Sequence, residues 1–454
     1  MSIEEYKSFV EGKAHLAGEF GFAPVYENKF CYDFQSSLID WALHRGRSAT
    51  FADCGLGKTL MQLVWAENVH RKTSKPVLIL APLSVSSQTV EEAEKFDIAA
   101  VRSQDGKFKP GSGIVCTNYE RLGNFDPNDF AGIVCDESSI LKNFDGAIRA
   151  SITHMMRKVQ YRSMYTATPS PNDYTELGTS SEALGDMAYM DMLQAFFKSN
   201  DDTLHPAHIG QNWRFKGHAE AHFWRWVASW ARAIRKPSDM GFSDDGWVLP
   251  DLNEIHHVIQ STALDGDLFA LPVYGLPNER IEKKRTIAER CGLASDLIQD
   301  HDNGVMWCQF NAEAEELTRL VSGAVNLSGS DKDEVKEEKF RAFKDGEIKY
   351  LVTKPKIAAL GVNWQHCAAC TYFDDYSYEQ YYQAVRRFWR FGQKRDVTVY
   401  QIGTTSLENV TKSRKRKAEA ADKMFAEMMQ HMVDAQKSRK VFVGAEKMET
   451  PKWL

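Results

Sequence analysis

The 454-residue sequence has no long hydrophobic run and no excess of basic charge. No uninterrupted apolar run is long enough to span a bilayer, and the polar, acidic residues 1–5 are unlike a signal peptide. The formal net charge is −6, so nucleic acid would have to bind to local basic surfaces rather than to the chain as a whole. We expect a soluble protein that stays inside the cell and makes no membrane contact.

Metal-binding patterns are also scarce. The eight cysteines are scattered, and the pair Cys367 and Cys370 has no second CxxC pair to complete a zinc site. Four histidines have a spacing that a zinc site can use: His205, His208, His218 and His222. No cysteine or acidic partner accompanies these histidines, so we predict no structural metal. The scattered cysteines are expected to be buried, reduced thiols.

A glycine-rich turn at residues 51–59 (FADCGLGKT) organises the chain. It lies between a short apolar run at 48–51 and an amphipathic segment at 60–69. Strand, glycine turn and helix in this order are the layout of a phosphate-binding loop. One departure is Ala52, which stands where many such loops carry their first glycine.

Each residue type in this turn has a chemical role. Gly55 and Gly57 allow backbone N–H groups to close around the β- and γ-phosphates at a helix N-terminus. Lys58 would neutralise the terminal phosphates, and the Thr59 hydroxyl would hold Mg²⁺. Upstream, Gln35 can pair with an adenine edge, with an ordinary surface glutamine as the alternative. The sequence therefore predicts ATP and Mg²⁺ as cofactors.

Apolar strands alternate with helical spacers over the following 110 residues. The strand-like segments are 77–82, 114–119, 133–135 and 164–165. Such a pattern indicates a parallel sheet covered on both faces, with ligands beyond the strand C-termini. Asp136 and Glu137 follow one of these strands; the first carboxylate can hold Mg²⁺ and the second can orient the attacking water.

The order of these motifs resembles the first lobe of a superfamily 2 helicase, and the spelling is closest to Swi/Snf-type DNA translocases and their phage-encoded relatives. The motifs that carry the resemblance are Gln35, the GLGKT loop and the segments 81–83, 117–120, 136–139 and 166–169. The resemblance implies that Pro82, Thr117 and Asn118 contact the nucleic-acid backbone. It implies a role in coupling ATP state to lobe movement for three further residues: Thr166, Ala167 and Thr168.

A second lobe is predicted from strand-like segments at 304–308, 350–353, 371–373 and 397–400. Residues 383–393 (QAVRRFWRFGQ) resemble the last Swi/Snf motif, spelled QAxxRxxRxGQ, in which Gln383 would belong to the coupling path. Arg387 and Arg390 are one helical turn apart, so we expect both guanidiniums on one face. From there they would close on the γ-phosphate as arginine fingers; a solvated basic helix face is the alternative.

Another second-lobe motif departs from the family pattern. Residues 354–364 stand where the family usually shows STRAGGLGIN; Gly361 and Asn363 match, whereas Lys356 replaces the arginine. By resemblance, Gly361 would contact the nucleotide, and Lys356 and Gln309 would contact nucleic acid.

Between the lobes, residues 171–255 form a tryptophan-rich insertion that we predict to be helical. An apolar helical stripe extends across residues 218–236, and its basic side, with Arg235 and Lys236, is a candidate contact for a phosphate backbone. A helical subdomain packed on one lobe is the plain alternative, and a protein partner would also dock here. After residue 411, a basic run leads into a methionine-rich helix that we expect to brace the two lobes.

The predicted fold is α/β, with two RecA-like lobes, each on a parallel sheet, the helical insertion and the C-terminal helix. The predicted segments are a lead-in (1–29), lobe 1 (30–170), the insertion (171–255), a linker with lobe 2 (256–410) and the C-terminal part (411–454). We predict an ATP-dependent DNA translocase or helicase that contacts the DNA backbone, in the cytoplasm of a bacterial or phage-infected cell. An RNA helicase and an ATP-driven module that displaces a protein partner remain alternatives.

Overall fold

The computed structural model describes residues 20–142, 146–199, 213–260, 276–358 and 363–442. Within these ranges the chain forms two lobes, each built on a parallel sheet with helices, and a long C-terminal helix packs against both. The predicted α/β class with two lobes, each on a parallel sheet, is confirmed. No helix in the described ranges is long and apolar enough to cross a membrane.

The sheet of the first lobe has seven strands. They are β1 (Arg47–Ala52), β2 (Val77–Ala81), β3 (Ala100–Arg102), β4 (Ile114–Asn118), β5 (Gly132–Asp136), β6 (Tyr161–Tyr165) and β9 (Ala231–Ile234). All pair in parallel, in the order β3-β4-β2-β5-β6-β1-β9. The central strands are buried on both faces because helices cover the sheet, so their sequences are continuous apolar runs.

Helices on both faces complete the first lobe. They are α1 (Asp33–Arg45), α2 (Lys58–Thr73), α3 (Leu83–Lys95) and α4 (Ala147–Lys158). Two apolar clusters, one on each face of the sheet, form the core of this lobe. Because β1, β5 and β6 are neighbours, the residues that follow them meet at one edge of the sheet.

The insertion packs on the first lobe. It contains α5 (Leu177–Leu184), α6 (Tyr189–Phe196), α7 (Ala219–Trp230) and the antiparallel strands β7 (Phe197–Ser199) and β8 (Trp213–Phe215). Trp224 and Trp230 are buried in a core cluster of that lobe, and Trp213 and Trp226 are partly buried against it, as expected for a packed subdomain.

The helix predicted across residues 218–236 is wrong beyond Trp230. There the chain turns into β9, which pairs in parallel with β1, from Ala49 opposite Ala231 to Ala52 opposite Ile234. All four residues of β9 are buried. Pairing with the sheet edge therefore overrides the helical spacing of the apolar residues, which only tertiary contacts could reveal.

The sheet of the second lobe has six strands. They are β10 (Leu252–Ile259), β11 (Gly304–Trp307), β12 (Ala324–Leu327), β13 (Tyr350–Thr353), β14 (Ala369–Phe373) and β15 (Val397–Thr404). All pair in parallel, in the order β10-β15-β14-β11-β13-β12. The accompanying helices are α8 (Leu276–Arg285), α9 (Ile287–Gln299), α10 (Asn311–Leu320), α11 (Asp333–Lys344), α12 (Pro355–Ala358) and α13 (Tyr378–Val385).

A single helix, α14 (Glu408–Phe442), joins the two lobes. Near its start Arg414 forms a buried ion pair with Asp374 of the second lobe, at 2.8 Å. Farther along, Met424, Met428 and Met432 are buried in a core cluster of the first lobe. The helix therefore contacts both lobes, and its bracing role stays a prediction.

Candidate functional site

The phosphate loop connects β1 to α2. Gly55 and Gly57 have φ values of +90° and +77°, in the left-handed region that favours glycine. The Lys58 ammonium donates to the carbonyl oxygens of Ala52, at 3.0 Å, and Asp53, at 3.3 Å. The lysine therefore lies over the loop, at the place where the predicted phosphates would bind, and Thr59 follows it in the first turn of α2.

Gln35 supports this loop from behind. Its side-chain nitrogen donates to the carbonyl of Leu56 at 2.8 Å, and its side-chain oxygen accepts from the Tyr32 N–H at 3.0 Å. A Cβ on Gly57 would lie 2.3 Å from the Gln35 nitrogen, so glycine is required for this close approach. Gln35 is only 2% exposed; its role in reading adenine stays a prediction, while its contact with the loop is plain.

The two carboxylates lie where β5 ends, beside the loop. Asp136 accepts from the side chain of Gln62, on α2, at 2.6 Å. Burial and, to a smaller extent, the charge of Glu137 raise the pKa of Asp136 to about 7, while Lys58 opposes the shift. A divalent cation would favour the ionised form of this buried pair, so Asp136 and Thr59 fit the predicted Mg²⁺ site.

Glu137 is held in an uncommon backbone conformation, with φ at +53°. Its Oε2 accepts from the Thr166 hydroxyl at 3.3 Å and from the Gln383 amide at 3.3 Å. The same amide lies 3.4 Å from the hydroxyl of Thr168, and buried Ala167 separates the two threonines. Three of the four predicted coupling residues therefore form one hydrogen-bonded group with Glu137, and this group joins the two lobes: Thr166, Thr168 and Gln383.

The arginines of the second lobe lie against the phosphate loop. Arg387 is held by the carbonyl of Gln383 at 2.9 Å and lies 3.7 Å from the sulfur of Cys54. The Cβ of Arg390 would be 3.4 Å from a Cβ on Gly55. Burial and, to a smaller extent, the nearby charge of Arg387 lower the pKa of Arg390 to about 10. Two cations thus converge on the loop from the opposite lobe.

The helical geometry expected for this arginine pair is wrong. Helix α13 ends at Val385, and residues 386–391 form tight turns. In these turns the N–H groups of Phe388 and Trp389 both donate to the carbonyl of Val385. The turns, rather than a shared helix face, bring the arginines to the loop.

Several contacts at this interface involve residues that the motif analysis did not single out. Arg386 forms an ion pair with Asp53 at 2.9 Å. Trp247 stacks on Phe391, with ring centroids 4.2 Å apart and 22° between the planes. No spacing rule marks these residues, because each pair joins distant parts of the chain.

The predicted nucleic-acid residues have varied surroundings. Pro82 and Lys356 line an interlobe cleft of about 560 Å³ that also contains Glu137 and Gln383. Thr117 and Asn118 are buried at 1% and 7% exposure. Other side chains form hydrogen bonds or ion pairs within the chain: Gln309 with Asp375, Arg235 with Asp422, and Lys236 with Asp244. Gly361 lies outside the described residues.

No group of three or more His, Cys, Asp or Glu side chains in the described part of the chain is placed to hold a metal ion. His205 and His208 lie outside that part. Cys367 and Cys370 are both buried, and burial raises the pKa of Cys367 to about 12. These thiols pack as apolar groups.

Residues 285–392 match the helicase conserved C-terminal domain family. This range includes the central strands of the second lobe and ends at Gly392, within the arginine motif. The chain is also 31% identical, over 170 residues, to protein p41 of Acyrthosiphon pisum secondary endosymbiont phage 1. That match covers 32% of this chain and 36% of p41, so the chain spans little more than a third of that relative's length.

Among solved structures, the chain is similar to the SWI2/SNF2 ATPase core of Sulfolobus solfataricus. For the core in complex with dsDNA the identity is 18% and the TM-score 0.42, over 92% of this chain and 98% of that chain. For the core domain alone the values are 18% and 0.42, over 84% and 87%. The family match confirms the helicase resemblance predicted from the motifs. The match to p41 confirms the predicted resemblance to a phage-encoded protein.

Proposed function

We propose that this chain is an ATP-dependent motor that moves on DNA or unwinds it. The observation that carries the proposal is the meeting of both lobes at one site. Lys58, Asp136 and Glu137 come from the first lobe, and Arg387 and Arg390 approach the same loop from the second. Helicase-type domains place their catalytic groups in this manner across a cleft, and the family match of residues 285–392 supports the same assignment.

Each residue has a role in the proposed hydrolysis. Lys58 and the loop N–H groups bind the β- and γ-phosphates, and Glu137 orients the attacking water. Mg²⁺, held by Thr59 and Asp136, would neutralise phosphate charge. Arg387 and Arg390 stabilise the charge that develops on the γ-phosphate when the lobes are together.

Movement on DNA would follow from the coupling group. Glu137 contacts Thr166 and Gln383, and Gln383 also reaches Thr168. A change at the γ-phosphate would thereby alter contacts in both lobes. If the two lobes then bind and release the phosphate backbone in turn, the protein advances along a strand. Binding of this kind is directed to phosphates and weakens steeply with salt. Such a motor would work in the cytoplasm of a bacterial or phage-infected cell.

The track can be identified by steady-state ATP hydrolysis with different nucleic acids. Duplex DNA, single-stranded DNA, forked DNA, an R-loop and RNA would be compared, each at several salt concentrations. Strong stimulation by one DNA form is the expected result. Stimulation by RNA alone would favour the RNA helicase, and hydrolysis that no nucleic acid changes would favour a protein partner at residues 171–255.

A further inference from the structure

Arg386 makes an interlobe contact that the proposed hydrolysis does not use. Its guanidinium forms an ion pair with the carboxylate of Asp53 at 2.9 Å, with 4% and 11% of the two side chains exposed. The same Nη2 donates to the carbonyl of Cys54 at 2.8 Å. The hydroxyl of Tyr382 donates to the other oxygen of Asp53. Two side chains of the second lobe therefore bind the carboxylate of one residue of the phosphate loop.

These contacts also fix the backbone of the loop. The Asp53 carboxylate accepts from the N–H of Cys54 at 2.6 Å, while Arg386 binds the carbonyl of that same residue. The backbone N–H and carbonyl of Cys54 are thus both hydrogen-bonded to the Asp53–Arg386 pair. Gly55, the next residue, has φ at +90° and lies against the backbone of Phe391. The conformation of the loop where it must receive phosphates is tied to the position of the second lobe.

Arg386 differs from its two neighbours in what it binds. Arg387 and Arg390 occupy the two arginine positions of the QAxxRxxRxGQ pattern, whereas Arg386 falls on an unspecified one. Its guanidinium is directed to a carboxylate and a carbonyl of the loop rather than into the phosphate position. A buried ion pair is a weak source of net stability, but it favours one arrangement of its partners over others.

We propose that Arg386 is a positioning residue, which through Asp53 ties the phosphate loop to the second lobe and sets the loop for the nucleotide. This inference rests on the proposed ATP site. The ion pair forms only when the lobes meet, so it stabilises this conformation of the loop only in the closed arrangement. Nucleotide affinity and lobe closure become linked through two side chains.

A double-mutant cycle tests this tie. The variants are Asp53→Asn, Arg386→Gln and their combination, with Arg319→Gln as a control because that arginine pairs with Glu316 on the surface of the same lobe. The melting temperature without nucleotide and the KM and kcat for ATP would be measured. Arg386→Lys keeps the charge and covers the case in which Arg386→Gln fails to fold.

We expect each single variant to lower the melting temperature, and the double variant to lower it no further than the worse single one. In Arg386→Gln, KM for ATP should rise about tenfold, as loss of one charge-assisted contact would produce. In Arg386→Lys, the rise in KM should be smaller, because the positive charge is kept. The control should change neither quantity. A purely structural role would move the melting temperature and leave KM unchanged.

Additive temperature shifts, or an unchanged KM in Arg386→Gln, would overturn the tie even if the ATPase is intact. Failure of the proposed function gives a different result: the wild type would then bind and hydrolyse no ATP, and the nucleotide part of this inference would fall with it. The unfolding cycle would still decide whether the two lobes are coupled through Asp53 and Arg386.

Discussion

The side-chain amide of Gln383 lies 3.3 Å from Glu137 Oε2 and 3.4 Å from Thr168 Oγ1. One buried group of the second lobe thus contacts both Glu137, the carboxylate proposed to orient water, and the adjoining threonine motif of the first lobe. Because an amide nitrogen carries two N–H groups, it can serve both acceptors at once. This contact directly connects the proposed chemistry of the first lobe to the second lobe.

Replacing Gln383 with alanine should slow turnover without preventing ATP binding. Removal of a hydrogen bond to a charged group corresponds to a loss of about 10- to 100-fold in kcat. The measurement is nucleic-acid-stimulated hydrolysis together with equilibrium binding of ATP. Gln299→Ala is the control, because that glutamine bonds only to Ser295 within its own helix among the contacts described. Equal kcat values for the two variants would contradict the coupling role.

Gly55→Ala should weaken ATP use because it disturbs the contact between lobes. The added Cβ would lie 2.9 Å from the backbone nitrogen of Phe391, so the second lobe would have to move. Gly111→Ala is a matched control, since Gly111 has a similar φ of +87° but nothing within 4 Å of the added Cβ. We expect KM for ATP to rise and kcat to fall in the first variant only. Kinetics as close to those of the wild type in Gly55→Ala as in Gly111→Ala would contradict the role of this contact.

Arg414→Gln should destabilise the protein through the helix that joins the lobes. It breaks the buried ion pair with Asp374, a change that typically costs about 3–5 kcal/mol. On the same helix, Lys412 pairs with Glu408, and both side chains are 71% exposed, so Lys412→Gln should cost about 0–1 kcal/mol. Thermal unfolding of the two variants measures the difference. A melting temperature equally close to that of the wild type in both would contradict the bracing role of α14.

Glu176 gives a pH dependence of stability with a defined sign. Burial raises the pKa of Glu176 to about 7 from an ordinary value of 4.5, although hydrogen bonds from Asn172 oppose the shift. The folded state therefore holds a proton that the unfolded state loses, and this residue's contribution to stability declines as pH rises from 4.5 to 7. Relative to the wild type, Glu176→Gln should gain melting temperature between pH 5 and pH 8. A difference that does not change with pH would contradict this prediction.

Much of the fold could be predicted because its signals are local. The apolar runs of β2, β4, β5 and β13 each lie within the predicted segments, since a strand buried on both faces has a continuous apolar sequence. The phosphate loop was also predictable, because its glycines, lysine and threonine have fixed spacing. The boundaries of the predicted segments stay a prediction, and β9 shows that residues 171–255 return a strand to the first sheet.

The contacts between lobes could not be predicted in this way. Asp53 and Arg386 are 333 positions apart in the sequence, and Trp247 and Phe391 also meet only in the folded chain. Gln35 was singled out for adenine, whereas its amide contacts Leu56 and Tyr32. A pattern of residue types shows which groups are suited to a role, but their partners depend on how the two sheets are placed against each other.

The central claim is that a two-lobe site centred on Lys58 and Glu137 hydrolyses ATP in response to DNA. Its most direct test is phosphate release by the wild type, Lys58→Ala and Glu137→Gln, each with and without duplex DNA. We predict DNA-stimulated turnover in the wild type and none in either variant, with ATP binding retained by Glu137→Gln. Turnover retained in Lys58→Ala or Glu137→Gln would contradict the site, and wild-type turnover unchanged by DNA would contradict the motor.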